Sequence, residues 1–278
     1  MIALLTMCVG MVACGKKSYA AQPGIEHNLK IQIEHMKSML EEQKNKRALV
    51  DNSAQITEEA FREAAAYMGA LAYDGRWQQI ICVGDSLTAG VQGGEGVSYE
   101  NPWPTVMQLF LGVSVENAGI GGSTISHTDG YAMSTRITQC GEADAIFIMG
   151  GVNDWLCGSC VIGNLDEEKS FVHDVDEMFG YIAETYPEAD VFVVLPLDCG
   201  AHPEEELAPL AEFREAERRA AEYYDFYVID FASRGILNGM NEVVRQEYYS
   251  DSIHLNTMGY QILGTLITYE ALLLTESV

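Results

Sequence analysis

Basic side chains are scarce over most of this sequence. Residues 77–278 contain 7 lysines and arginines against 32 aspartates and glutamates, so they carry the whole formal net charge of −25, while residues 1–76 hold 9 of each sign. A surface this negative repels phosphate backbones. We therefore predict no nucleic-acid partner, and a strongly anionic polymer would be an awkward substrate. The simplest role of the charge is to keep the folded chain soluble.

Long apolar runs are also missing. No stretch approaches the roughly 20 apolar residues of a membrane-spanning helix, so the sequence does not predict a transmembrane bundle. Residues 1–13 form an uncharged apolar run of signal-peptide length. Its end, Met11-Val12-Ala13-Cys14, resembles the lipobox of bacterial lipoproteins, although Met11 replaces the usual leucine and no basic residue precedes the run. The resemblance implies a lipid on Cys14, an extracytoplasmic location and membrane contact only through that anchor. A conventionally cleaved signal and a cytoplasmic protein are the alternatives.

The cysteines lack the pattern of a metal site. Among the seven, Cys157 and Cys160 form a CxxC pair, but no second pair and no histidine at ligand spacing accompanies it. We therefore expect no bound zinc or other metal. In an exported protein the pair can form a loop disulfide, and two separate thiols are the open alternative. Cys82 lies in an apolar run and is predicted to be a small buried side chain.

Neither glycine nor proline is in excess, and 48% of the residues are apolar, which is ordinary globular composition. A chain of 278 residues can hold one sizeable α/β domain with an extension. We predict a leader over residues 1–14, a tether and helical extension over 15–76, and a folded α/β domain over 77–278. Apolar residues at three- and four-residue spacing predict amphipathic helices over 26–47 and about 57–73 within the extension.

From residue 77 onwards, short apolar runs alternate with helix-like stretches. Continuous apolar runs bounded by turn residues are typical of strands buried on both faces. The runs lie at 80–83, 113–115, 145–149, 191–195 and 226–229, and the helical stretches near 103–111, 131–140, 167–185, 204–224 and 257–274. This rhythm predicts a three-layer α/β/α sandwich with a parallel sheet of about five strands. Ligands of such sheets bind beyond the carboxyl ends of the strands.

Polar and glycine-rich motifs follow the first three predicted strands. The first strand runs into Gly84-Asp85-Ser86, which would expose a serine at the sheet edge. The second runs into a glycine-rich loop, NAGIGGST at 117–124, whose backbone N–H groups can approach an anion closely. The third ends in GGVND at 150–154, from which Asn153 emerges at the same edge. Each of these motifs alone is more often an ordinary turn.

A fourth motif lies near the end of the chain. Asp251 precedes His254 by three residues, so that its carboxylate can accept the proton on Nδ1 and leave Nε2 as a base. An isolated pair with this spacing is usually structural. The four motifs together, in this order across about 78–260, are far more specific than any one of them.

The four motifs resemble the sequence blocks of the SGNH/GDSL hydrolases. The resemblance implies Ser86 as nucleophile, His254 as general base and Asp251 as the group that orients the imidazole. It implies an oxyanion hole made by the backbone N–H groups of Ser86 and Gly122 and the side-chain amide of Asn153. Gly122 matches the family position because it lies five residues after the asparagine at 117. No metal or organic cofactor is implied.

The resemblance implies a serine esterase, and several substrate classes remain open. We expect the substrates to be O-acetyl or other short-acyl esters, carried either by small molecules or by extracytoplasmic glycans. A lysophospholipase, lipase or thioesterase acting on longer chains, an O-acyltransferase, and a non-catalytic carbohydrate- or lipid-binding protein are the alternatives. Substrate-contacting loops are expected at 91–101, 126–134, 155–166 and 198–210. Tyr99, Tyr131 and Trp155 can stack on sugars, but surface aromatics are as often local packing. His127 is a further candidate contact, whereas Asp85 and Asp154 are predicted to be structural.

Overall fold

The computed structural model describes residues 23–93, 102–126, 131–157, 160–203 and 208–276. The predicted leader and the start of the tether lie outside these ranges. The chain divides into two compact units, residues 1–48 and residues 49–278. Among the described helices, none combines the length and the apolar character needed to cross a bilayer.

One helix replaces the two predicted for the extension. Helix α1 runs without interruption over Pro23–Ala70. The predicted gap between the two helices is absent because residues 48–56 contain neither glycine nor proline to end the first helix. The compact unit that contains the sheet begins at Leu49, inside this helix, rather than at residue 77 as the sequence suggested.

The second half of α1 belongs to the core of the sheet-containing unit. Ser53, Thr57, Ala64 and Met68 recur at helical spacing on one face and are buried. The Ser53 hydroxyl donates to the carbonyl of Gly235 at 2.5 Å, so polar as well as apolar contacts fix this face.

The predicted sheet is confirmed. Five parallel strands lie in the order β2-β1-β3-β4-β5. Their bounds are β1 Gln79–Gly84, β2 Ser114–Gly119, β3 Ala145–Met149, β4 Asp190–Val194 and β5 Tyr227–Ile229. Residues of β1 alternate between two cores: Ile80 and Cys82 face one, and Ile81 and Val83 face the other. Both faces of β1 are therefore covered, and Cys82 is buried as predicted.

Helices form the two outer layers. They are α2 Ser86–Ala89, α3 Trp103–Leu111, α4 Met133–Ile137, α5 Val152–Leu156, α6 Phe171–Thr185, α7 Leu210–Tyr223, α8 Glu242–Tyr248 and α9 Thr257–Glu276. Helix α9 packs against α3 on one face, and α6 packs against α7 on the other. The short helices α5 and α8 were not predicted.

The strand register sets the level of the site. Gly84 at the end of β1 pairs with Gly119 at the end of β2 and with Met149 at the end of β3. The three motifs that follow these strands therefore leave the sheet at one edge and at one height.

Candidate active site

Ser86 lies directly beyond β1 at the start of a four-residue helix. The Asp85 side chain caps this helix by accepting from the Leu87 N–H at 2.9 Å, and Gly90 ends it with φ of 83°. The backbone N–H of Ser86 lies in the first turn, where no intrahelical acceptor exists. The serine is 5% exposed, so the fold holds its position tightly.

A chain of hydrogen bonds joins the three side chains that the sequence singled out. The Oγ of Ser86 lies 3.0 Å from Nε2 of His254, which comes from the loop before α9. Nδ1 of the same ring lies 2.7 Å from Oδ2 of Asp251. The fold thus brings together a hydroxyl and an imidazole that are 168 positions apart in the chain.

The loop itself fixes Asp251. Its Oδ1 accepts the backbone N–H groups of Ile253 at 2.7 Å and His254 at 2.6 Å, which leaves Oδ2 for the imidazole. Burial on its own would raise the pKa of Asp251, but the hydrogen bonds from the His254 ring and from these two N–H groups hold the pKa below its usual value. The carboxylate is therefore ionised at neutral pH, as a group that stabilises an imidazolium must be.

A glycine that sequence reasoning missed lies against this carboxylate. A Cβ added to Gly93 would stand 1.8 Å from Oδ2 of Asp251. The N–H of Gly93 donates to the Ser250 hydroxyl at 2.8 Å, which ties the loop after α2 to the loop that carries the histidine. Only the tertiary fold reveals the contact, because the two loops are far apart in sequence.

The glycine-rich loop after β2 packs beside the serine. A Cβ on Gly119 would meet the backbone nitrogen of Ala89 at 2.4 Å, so only glycine lets this strand end approach α2 so closely. A Cβ on Gly121 would lie 3.9 Å from Cβ of Ser86, and Gly122 has φ of +77°. The loop that bears the predicted oxyanion-hole glycine is therefore next to the nucleophile candidate.

Asn153 completes this edge of the sheet. It lies in the first turn of α5, and its amide nitrogen donates to the carbonyl of Ser123 at 2.9 Å. Since an amide nitrogen carries two hydrogens, this bond orients the group and leaves a second hydrogen to donate. The bond also ties α5 to the residue that follows Gly122. The structure thus brings the three predicted oxyanion-hole residues to one place.

The two aspartates predicted to be structural make structural contacts. Asp154 is buried and accepts the backbone N–H groups of Ile125 at 3.0 Å and Ser126 at 2.9 Å. Burial raises the pKa of Asp154, and it raises the pKa of the Asp85 cap to about 7. The prediction for Asp85 and Asp154 is confirmed in that both hold loops of the site.

The raised pKa of Asp85 predicts a pH-dependent stability. Between about pH 4 and 7 the unfolded chain has released this proton while the folded chain still holds it, so rising pH favours unfolding. An Asp85→Asn variant should lose less stability over this window, with a slope smaller by up to about 1.4 kcal/mol per pH unit. Urea unfolding at pH 4, 5, 6 and 7 measures the slope, and equal slopes in the two proteins would contradict the assignment.

The candidate substrate contacts differ in where the structure places them. Tyr99 and His127 lie outside the described residues, and Tyr131 is 64% exposed. Trp155 is only 8% exposed and belongs to a hydrophobic core, so of the two alternatives for this side chain the structure has local packing. Its position on the inner side of α5 explains the difference.

No disulfide joins the CxxC pair in the described part of the chain. The thiol of Cys157 donates to the carbonyl of Asp154 at 3.3 Å, and Sγ of Cys160 lies 3.0 Å from the Ser126 hydroxyl. Of the two alternatives that the sequence left open, the structure has the two thiols.

The arrangement is suited to nucleophilic chemistry. A serine hydroxyl is a weak nucleophile until a neighbouring base takes its proton, and the imidazole is placed to do so. Hydrogen-bond donors at the same edge can stabilise an oxyanion. This chemistry requires only side chains and backbone groups.

Comparisons with known proteins show what the chain is similar to. Residues 82–262 match the GDSL-like lipase/acylhydrolase family. No curated protein matches the chain. A protein from Lactobacillus plantarum has a similar fold, with a TM-score of 0.62 at 18% identity, covering 69% of this chain and 94% of its own. The lipase/acylhydrolase from Enterococcus faecalis has a TM-score of 0.50 at 23% identity, and the match covers 69% of this chain and 94% of that protein. A putative lipolytic protein of the G-D-S-L family from Desulfitobacterium hafniense has a TM-score of 0.53 at 20% identity, and the match covers 69% of this chain and 98% of that protein.

Proposed function

The chain belongs to the GDSL-like lipase/acylhydrolase family and is a carboxylic ester hydrolase, and from this premise we propose that it is a serine esterase that removes short acyl groups, chiefly O-acetyl groups, from glycans. The observation that carries the proposal is the hydrogen-bonded chain from Ser86 through His254 to Asp251.

Acylation begins when His254 takes the Ser86 proton at Nε2. The freed Oγ attacks the carbonyl carbon of the ester, and the carbonyl oxygen becomes an oxyanion. The N–H groups of Ser86 and Gly122 and the Asn153 amide would donate to that oxygen. The imidazolium, stabilised by Asp251, then gives its proton to the leaving alkoxide, and the alcohol departs.

Deacylation reverses the roles. Water attacks the carbonyl carbon of the acyl-serine while Nε2 of His254 takes its proton. Collapse of the second tetrahedral intermediate breaks the bond to Oγ, and the histidine returns a proton to Ser86. The carboxylic acid leaves and the free enzyme is restored. A sugar hydroxyl in place of water would make the same site an acyltransferase.

Replacing Asn153 with alanine removes one donor to the oxyanion. We expect kcat to fall by about 10²–10³-fold with KM changed far less, because the bond forms only as charge develops on the oxygen. Steady-state kinetics on p-nitrophenyl acetate measure both constants. Asn45→Ala, at an exposed asparagine on α1, is the matched control and should retain kcat. A mutant that loses only affinity for the ester would contradict the oxyanion role.

The preference for short esters on glycans rests on charge and on the leader. The headgroups of anionic lipids repel the strongly acidic region from residue 77 onwards, which disfavours docking of its site onto esters within a bilayer even when a lipid anchor tethers the chain nearby. The leader ending at Cys14 supports an extracytoplasmic, lipid-anchored protein, and outside the cytoplasm glycan esters are accessible. The leader lies outside the described residues, so the sequence alone supports this part of the proposal.

An acyl-chain series tests the substrate class. p-Nitrophenyl acetate, butyrate, octanoate and palmitate are compared, followed by acetate release from acetylated polysaccharides. A maximum at acetate, with acetate released from a glycan, supports the proposal. A maximum at octanoate or longer would overturn the short-acyl assignment in favour of lipid esters. Transfer of acetyl to an added acceptor sugar, in preference to water, would identify an acyltransferase.

A further inference from the structure

Glu217 is a carboxyl group in a position where the helix pattern requires an apolar side chain. On α7, the residues at helical spacing from it, Leu210, Phe213 and Ala221, form the buried face. Glu217 shares that face and is 0% exposed. Neither of its oxygens has a hydrogen-bond partner within the described part of the chain. Burial of a polar group in this way destabilises a fold, which calls for a physical explanation.

The carboxyl packs against the turn that precedes Asn153. A Cβ added to Gly151 would lie 2.3 Å from Oε1 of Glu217 and 3.4 Å from its Cδ. The glycine hydrogen in that direction therefore points at the oxygen, as in a weak Cα–H···O contact. Gly151 has φ of +91° and is the N-terminal cap of α5, so the carboxyl lies on the turn that sets the start of this helix.

The surroundings of Glu217 favour the protonated form of its carboxyl group. Burial is the main cause that raises its pKa well above the ordinary value, and the negative charges of Asp154 and Asp85 act in the same direction. Arg214 on the same helix opposes them, but its guanidinium is engaged by the Pro196 carbonyl at 2.7 Å and by the Asp198 carboxylate at 2.5 Å.

We propose that Glu217 is a positioning residue for ester hydrolysis: its carboxyl group, which packs against Gly151, fixes the 150–153 turn so that the Asn153 amide is aligned with the oxyanion. The inference rests on the proposed function, because it assigns Glu217 an effect that reaches the reaction only through Asn153. Small misplacements of an aligned group lower the rate far more than they weaken substrate binding.

Three replacements of Glu217 test the proposal with p-nitrophenyl acetate. Glu217→Gln keeps the shape and the neutral state and should retain kcat within about twofold. Glu217→Asp withdraws the carboxyl from Gly151, and Glu217→Ala removes it; both should lower kcat about tenfold with KM nearly unchanged. Glu215→Ala, an exposed carboxylate on the same helix, is the matched control and should behave as the wild type.

A double mutant separates positioning from general destabilisation. In an Asn153→Ala background, Glu217→Ala should change kcat by less than about twofold, because the group through which it acts is gone. Circular dichroism and the Tm show that each variant is folded at the assay temperature. Additive losses in the double mutant, an Ala variant with wild-type kcat, or a Gln variant as slow as the Ala variant would each overturn the proposal. Wild-type enzyme without esterase activity would instead refute the proposed function.

Discussion

Ser86→Ala should lower kcat for p-nitrophenyl acetate by at least about 10⁴-fold. The variant retains the donors that would stabilise an oxyanion but has no oxygen to form the acyl-enzyme. Within the described ranges, the Ser86 Oγ makes a hydrogen bond only to His254, at 3.0 Å. The loss should therefore appear in kcat rather than in folding.

The control for this variant is a serine of the same fold away from the site. Ser233→Ala, at an exposed turn beside Asp230, should retain wild-type kcat. Active-site titration and steady-state kinetics on both variants give the comparison. A Ser86→Ala enzyme that retains more than a few per cent of wild-type kcat would show that another group carries out the attack.

Asp251→Asn should lower kcat by about 10⁴-fold, with KM changed much less. The wild-type carboxylate accepts from Nδ1 of His254 at 2.7 Å, which leaves Nε2 without a proton and able to act as base. An asparagine amide at the same place can donate to Nδ1 instead. The ring then carries its proton on Nε2, where it cannot accept the Ser86 proton.

Asp225→Asn is the matched control for the second prediction. Asp225 is exposed and has φ of 59°, a backbone conformation that asparagine tolerates, so this variant should keep kcat. Kinetics from pH 6 to 9 compare the two asparagine variants. If Asp251→Asn retained a tenth or more of the wild-type kcat, some other group would have to orient the imidazole.

Three motifs of the site could be predicted because each follows a short apolar run that marks a strand. Runs such as residues 80–83 identify strands, and a parallel sheet brings their carboxyl ends to one edge. The pairing of Gly84 with Gly119 and Met149 shows this alignment directly. The Asp251–His254 contact was also predictable, since three residues within one loop suffice to make it.

The contacts that support the site were not predictable in the same way. Gly93 meets Asp251 and Glu217 meets Gly151 across large sequence separations, and no local pattern reveals either contact. A signal for Glu217 did exist, because it lies in phase with Leu210, Phe213 and Ala221 on an otherwise amphipathic helix. A charged residue on the apolar face of a predicted helix is a sound reason to look for a functional constraint.

The extension and Trp155 show that tertiary packing determines which side chains are buried where the sequence alone does not. Residues 49–70 present Ser53 and Thr57 to the core of the sheet-containing unit, although the sequence pattern assigned them to an extension. Trp155 follows a motif at the sheet edge and yet points into the core. In each case the helical face, rather than the residue type, determines what is buried.

The most direct test of a nucleophilic Ser86 is covalent labelling. The wild-type protein is treated with an alkyl fluorophosphonate, and its intact mass and tryptic peptides are measured by mass spectrometry. The account predicts one phosphonyl group per chain, located on Ser86, with loss of esterase activity in proportion to labelling and no adduct in Ser86→Ala. A label on another residue, or full esterase activity in a protein fully labelled at Ser86, would contradict it.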